Sequence, residues 1–236
     1  MRTLDLILID KPAMLGSMRT MSESAITSNR FINYRLIFAS VVVFLFVGAL
    51  FYEYVKPRIF PKRFGAVIEN SLYRSGRIHP DLLPTVIEDY QIDTIVTLTR
   101  DVSTVEYQPI ERAIASQMDV DLVRFPLDGN GTGDVASYIG ALRRIYDELS
   151  EGRRVLVHCA AGSQRTGGVM FLYQTLVLQQ SKSDAYKEML DYDFDPERNA
   201  ALLPYLGDIL PEVVDALGAY GIATPTFSEI NSRATQ

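Results

Sequence analysis

The chain has 236 residues, one cysteine, two histidines and a net charge of −6. A single cysteine excludes an intrachain disulfide framework, and one Cys with two His far apart in sequence makes a poor zinc set, so no metal or cofactor is expected. Residues 1–63 carry nine basic and four acidic side chains and the remainder 14 basic and 25 acidic. An acidic globular part of that kind, with 47% apolar residues to build a core, is a poor host for nucleic acid.

The N-terminal stretch 1–35 reads as a tail. Met14, Met18 and Met21 follow Met1 closely. Met21 is a credible alternative start, so residues 1–20 carry no assigned function. Leu36–Tyr52 is then an uncharged apolar run of 17 residues, at the lower end of the roughly 17–25 that span a bilayer. Arg35 and Lys56 flank it, and Tyr34, Tyr52 and Tyr54 sit at interface depth. The expectation is one transmembrane helix over 36–54, a single pass near the N-terminus with the bilayer as partner. A cleaved signal peptide is the alternative, because Val47-Gly48-Ala49 loosely fits a cleavage site.

A basic linker, 55–63, follows. Its Pro57 and Pro61 are expected to block a continuous helix. Its Lys56, Arg58, Lys62 and Arg63 suit an anionic surface or simply set topology. Against Arg30 and Arg35 before the span they favour the cytoplasmic side. A signal anchor with the domain exported fits the same residues, and the side of the membrane stays open.

Residues 64–222 read as one domain. Phe64–Ser75 predicts a strand pair turning at Glu69-Asn70-Ser71, and 80–90 predicts a helix with Leu82, Leu83, Val86 and Ile87 on one face. Thr94–Thr99 is a β-branched strand, 105–118 a helix, and Leu122–Pro126 a strand stopped by proline. Asp134 caps a helix through Leu149 with Ile139, Leu142 and Ile145 inward. Val155–Val157 is the central strand. Helices follow at 167–177, 183–190 and 197–217, and residues 223–236 form a loose tail. Alternating strands and helices imply an α/β fold: a mainly parallel central sheet with helices on both faces.

Straight after the central strand stands His158-Cys159-Ala160-Ala161-Gly162-Ser163-Gln164-Arg165-Thr166-Gly167. A loop this rich in small residues can curl so that successive backbone N–H groups face one anion, and the helix after it points its positive end at the same place. Both effects lower a thiol pKa from about 8.5. Arg165 can grip two phosphate oxygens with its planar fork. A buried inert cysteine beside an ordinary turn leaves the Arg-Thr-Gly spacing unexplained. The pattern His-Cys-x5-Arg-Thr/Ser-Gly, after a strand and before a helix, resembles the signature loop of the cysteine-dependent protein tyrosine and dual-specificity phosphatases. The resemblance covers roughly residues 64–230, with about ten residues carrying its sharp part.

The resemblance implies a phosphatase working through a cysteinyl-phosphate. Cys159 is the nucleophile, and the N–H groups of Ala160, Ala161, Gly162, Ser163, Gln164 and Arg165, with the Arg165 guanidinium, bind the phosphate. His158 supports the thiolate through hydrogen bonds, and Thr166 assists breakdown of the intermediate. The general acid comes from another loop. Asp128, in a Gly-rich and mobile stretch two residues past a strand, is favoured; Asp134 is its rival, with a helix N-cap as its other role. Substrates implied are phosphotyrosine and phosphoserine/threonine proteins or a small phosphoester. The neutral Ala160, Ala161, Ser163 and Gln164 weigh against a polyanionic lipid head, whereas the anchor favours a phospholipid. A non-catalytic phospho-binding module is a further alternative.

Overall fold

In the computed structural model residues 17–102 and 106–225 are described, and the chain divides into two compact units, one ending at Tyr54 and the next starting at Val55. The first unit is helix α1 (Ser17–Leu50), followed by a π-helical turn at Phe51–Val55. The apolar helical span runs from Tyr34 to Ile59, 26 residues with none of its apolar window buried. It therefore outlasts the expected 36–54, because helix resumes in α2 (Lys56–Ile59). Pro57 does not break it. It stands in the first turn of α2, where a missing N–H leaves no bond unmade. The helix ends instead at Phe60, extended at φ −122 and ψ 121 ahead of Pro61.

In the second unit five short strands form one sheet: β1 (Gly65–Ile68), β2 (Leu72–Ser75), β3 (Thr94–Thr97), β4 (Asp121–Arg124) and β5 (Val155–His158), in the order β1-β2-β5-β3-β4. Only β1 and β2 pair antiparallel, through the turn at Glu69–Ser71. The other three pairings are parallel, with Ser75 and Thr97 both in register with His158. Strand alternation divides the core. Tyr73, Ile95 and Leu156 face α3 (Leu83–Tyr90) and α4 (Tyr107–Gln117). Leu72, Val96, Val155 and Val157 face α5 (Val135–Ser150), α6 (Gln164–Leu172), α7 (Lys182–Asp191) and α8 (Leu202–Ala219). The expected α/β class, with helices on both faces of a mostly parallel sheet, is the observed one.

Several expected boundaries move for local reasons. The helix expected from residue 80 starts at Leu83, because His79 O takes the N–H groups of Leu82 and Leu83 in a turn. The helix expected from 197 starts at Leu202, because Asp195 Oδ1 accepts from the N–H groups of Glu197 and Arg198. The helix after the Cys159 loop begins at Gln164, not 167. Gly167 N–H already donates to Ser163 O at 2.7 Å, which places Arg165 and Thr166 in its first turn. Ile222 packs into the core behind α8, while 226–236, most of the expected tail, and Val105 of the expected 105–118 helix lie outside the described residues.

One buried charge ties the frame together. Glu148 of α5, 1% exposed, is paired with Nε of Arg144 and of Arg153, each at 2.6 Å, and accepts from Thr94 Oγ1 at 2.6 Å. It links α5 to the start of β3 and the turn before β5. The carboxylate is kept inside because every side of it is paired.

Candidate active site

The parallel strands β2, β5 and β3 end at one edge. The connections through α3 and α4 pass over one face and the connection through α5 over the other, so β5 opens into the crevice where sheets of this kind bind ligands. The loop from Cys159 to Ser163 fills that crevice and is gripped from outside. Ala160 O accepts from Arg77 N–H at 3.2 Å, Ala161 O from Arg63 Nη1 at 2.7 Å, and Gly162 O from Arg74 Nη2 at 2.6 Å. Across a trans peptide the next N–H opposes each carbonyl, so the amides of Ala161, Gly162 and Ser163 are turned inward. Gly162 N–H donates to Cys159 Sγ at 3.1 Å. Gly162 sits at φ +84, and a Cβ there would stand 2.4 Å from Gly76 N, so only glycine lets the loop close on the end of β2.

The outer arginines are themselves held. Arg74 follows Leu72 on the α7 side of β2 and is fully buried. It donates to Glu188 Oε1 at 2.6 Å and its guanidinium lies 4.0 Å from the Tyr192 ring centroid. Arg63 pairs with Asp193 at 2.8 Å. Helix α7 and the turn after it therefore fix the loop's shape through two guanidinium groups.

Inside the loop the Cys159 thiol is buried. Burial pushes its pKa up. Opposing this are the Thr166 hydroxyl, the Arg165 charge and the N–H groups of Gly162 and Thr166, and the thiol is held below its ordinary range. Arg165 has an Nε buried without a protein partner, and its side chain lines a cavity of about 210 Å3 with Arg77, Thr99, Arg100, Leu127 and Gly129 among its walls. Thr166 is fully buried, with its hydroxyl 3.4 Å from Ser75 O.

His158 follows Leu156 by two residues and so faces α4. Its Nε2 lies 2.9 Å from Oε1 of the buried Glu111, and its Nδ1 stands 3.4 Å from Cys159 O. Glu111 also accepts from the Tyr107 hydroxyl at 2.7 Å. Burial opposes charge on both partners. The Glu111 carboxylate outweighs it at His158, whose pKa is raised, and His158 outweighs it at Glu111, whose pKa is lowered. The pair thus favours the charged form of the imidazole, which touches the backbone of Cys159. Sequence reading missed Glu111 and Tyr107, although their spacing of four on one helix put them on a common face.

Asp128 is not in the Arg165 cavity, though its neighbours Leu127 and Gly129 are. Its carboxylate pairs with Arg100 and lines an adjoining open groove with Asp134 and Tyr205. Arg100 lines both spaces. The 127–133 stretch is tied down, contrary to the mobility expected from its glycines. Leu127 bridges to Gly133, Tyr138 OH donates to Gly131 O at 2.6 Å, and Tyr205 OH donates to Gly133 O at 2.7 Å. Asp134 caps α5, accepting from Ala136 N–H at 3.0 Å. Among the described residues no group of three or more His, Cys, Asp or Glu side chains is placed to hold a metal ion.

No family model and no curated protein matches the chain. Solved structures do. A complex of P. aeruginosa TpbA with pTyr is 23% identical, covering 66% of this chain and 95% of that one at a TM-score of 0.52. A putative phosphatase (DUF442) from Shewanella putrefaciens CN-32 is 21% identical, covering 68% and 94% at 0.51. The core catalytic domain of the PP-IP phosphatase SIW14 from S. cerevisiae, in complex with citrate, is 17% identical, covering 69% and 95% at 0.54. At these identities the likeness is one of fold, and the fold this chain shares is that of the cysteine-based protein tyrosine and dual-specificity phosphatases.

Proposed function

We propose that the chain is a metal-independent phosphomonoesterase that works through a cysteinyl-phosphate. One observation carries the reading: a single buried thiol, held toward thiolate, is surrounded by inward backbone N–H groups and by a guanidinium that has no protein partner at Nε. That is a cradle for a tetrahedral anion built around a nucleophile.

Cys159 attacks phosphorus, and the ester oxygen leaves with a proton from Asp128. The amides from Ala160 to Arg165 and the Arg165 fork hold the three equatorial oxygens. Water then attacks the phosphocysteine and gives its proton to Asp128, releasing phosphate and restoring the thiolate. His158, charged through Glu111, steadies the thiolate, and Thr166 stabilises the sulfur as it leaves. Asp128 is preferred to Asp134 because Asp134 already holds the start of α5. Arg100 must release Asp128 for the proton transfer.

The substrate class is phosphotyrosine proteins, with phosphoserine/threonine proteins second; the TpbA structure holding pTyr supports a pocket of this fold taking that group. Residues 64–222 form the catalytic domain. The 26-residue apolar span at Tyr34–Ile59 anchors it in a bilayer, and protease treatment of intact vesicles reads which side the domain occupies. The activity test is phosphate release from an aryl phosphate in EDTA. Cys159→Ser is expected to abolish it, and full activity in that variant would overturn the proposal.

A further inference from the structure

The residues inside the loop are neutral, yet the cavity in front of it is not. Arg77, Arg100 and Arg165 all line it, and two of the three come from outside the signature loop. Three carboxylates close to it are paired: Asp128 with Arg100, Asp101 with Arg112 at 3.3 Å, and Glu111 with His158. Arg77 forms no ion pair among the described residues. Its guanidinium is held by the Tyr107 ring, 4.8 Å from the centroid, and Tyr107 is anchored in turn by Glu111. Its backbone N–H is bonded to the loop at Ala160 O. Two guanidinium groups without a carboxylate partner, Arg77 and Arg165, therefore border one small cavity.

A monoester dianion seated in the loop is met by Arg165 and the amides. Arg77 then faces the substrate with its charge unanswered. We infer that Arg77 is a binding residue for a second anionic group on the substrate, and that the preferred small substrates carry a second phosphate one short spacer from the phosphate that is cleaved. The inference rests on the phosphomonoesterase reading and adds to it a class of small substrates beside the phosphoproteins. Arg77 is an exposed residue, and the Tyr107 stack restricts where its guanidinium can sit.

The test compares 1,2-ethanediol bisphosphate with 2-hydroxyethyl phosphate, a pair differing only in the second phosphate. Wild-type kcat/KM is expected to favour the bisphosphate by about 10- to 100-fold, the range of a charge-assisted hydrogen bond. Arg77→Met, which keeps an apolar stem against Tyr107, should collapse that ratio toward unity, and Arg77→Lys should restore part of it. The preference should also weaken as salt rises. A wild-type ratio near one overturns the inference. So does an equal loss on both probes in Arg77→Met, which would make Arg77 a support of the loop. The same ratio is read as Kd by calorimetry on Cys159→Ser, so an absence of turnover, which refutes the phosphatase reading, still leaves the Arg77 site decided. Presenting both headgroups on uncharged vesicles separates the sources. A preference larger there than in solution assigns the second phosphate to a lipid, and an equal one assigns it to a soluble ester.

Discussion

Replacing Glu111 by glutamine removes one charge from the buried pair it forms with His158, the neighbour of Cys159, and keeps the side chain's shape. The partners are 2.9 Å apart, with side chains 4% exposed at His158 and 1% at Glu111. The native pKa of His158 is raised above 6.5, so its contribution is fully present below that value and is lost as pH rises through the native one. The native pKa of Glu111 is lowered below 4.5, so its contribution is fully present above that value and is lost as pH falls through the native one. The pair therefore stabilises the fold fully between 4.5 and 6.5 and fades on either side. Breaking a buried ion pair costs about 3–5 kcal/mol. Glutamine still meets the Tyr107 hydroxyl and lets His158 become neutral, which puts the expected loss at the lower end, about 3 kcal/mol.

Urea denaturation of wild type and Glu111→Gln across this range measures it. The stability gap should be widest near about pH 5.5 and narrow at alkaline pH as His158 deprotonates in the wild type. A second readout is chemical. The charged imidazole and the thiolate favour each other, so iodoacetamide should alkylate Cys159 more slowly in the variant at a fixed pH. A gap that stays constant with pH, together with an unchanged alkylation rate, would refute the idea that the pair is charged and acts on the thiol.

Asp128→Ala should slow turnover by about 10²–10⁴-fold for poor leaving groups and far less for p-nitrophenyl phosphate. Asp134→Ala should mainly lower stability, by about 1 kcal/mol, as a lost helix cap; the reverse pattern in kinetics would make Asp134 the acid. Gly162→Ala drives a Cβ to 2.4 Å from Gly76 N at a positive φ, so the loop should open and the thiol titrate nearer about 8.5 in an alkylation profile. Wild-type turnover in that variant would contradict the loop geometry. Arg74→Met should destabilise by about 3 kcal/mol, since it strands the Glu188 carboxylate. The double variant with Glu188→Met should recover part of that loss in chemical denaturation, and simple additivity would show the two are not coupled.

The parts of this molecule that could be read in advance are those whose physics is local. Strand alternation gave Leu156 to one face and Val155 and Val157 to the other, and that parity alone sends His158 toward α4. The N-cap at Asp134 and the breaks at glycine and proline are equally short-range. Even there the reach was limited. Pro57 reads in sequence as a block to a continuous helix, whereas the preceding π-helical turn places it at a position that tolerates it. The glycines at 129, 131 and 133 suggested motion, yet hydroxyls from Tyr138 and Tyr205 hold the stretch. No local pattern announces a tyrosine on another helix as the clasp of a loop.

The site shows the same limit in its charges. Reading ten consecutive residues makes the cradle neutral except for Arg165. In the fold its carbonyls are held by Arg63 from just before β1, by Arg74 from within β2 and by the backbone of Arg77 just after it. Those strands are over 80 residues from Cys159 in sequence, and only the pairing of β2 with β5 brings them together. The loop's shape and its electrostatics thus come from different stretches of chain. The loop supplies the thiol and the amides; the β2 segment supplies the grip behind them and the second cation in front. On the proposed role of Arg77, chains with the same ten-residue loop would differ in the phosphate they accept according to the residue at position 77. Exchanging Arg77 for a neutral residue should therefore change substrate preference without altering the leaving-group dependence expected of an Asp128 acid, and a change in that dependence would argue that the two proposed functions are not separable.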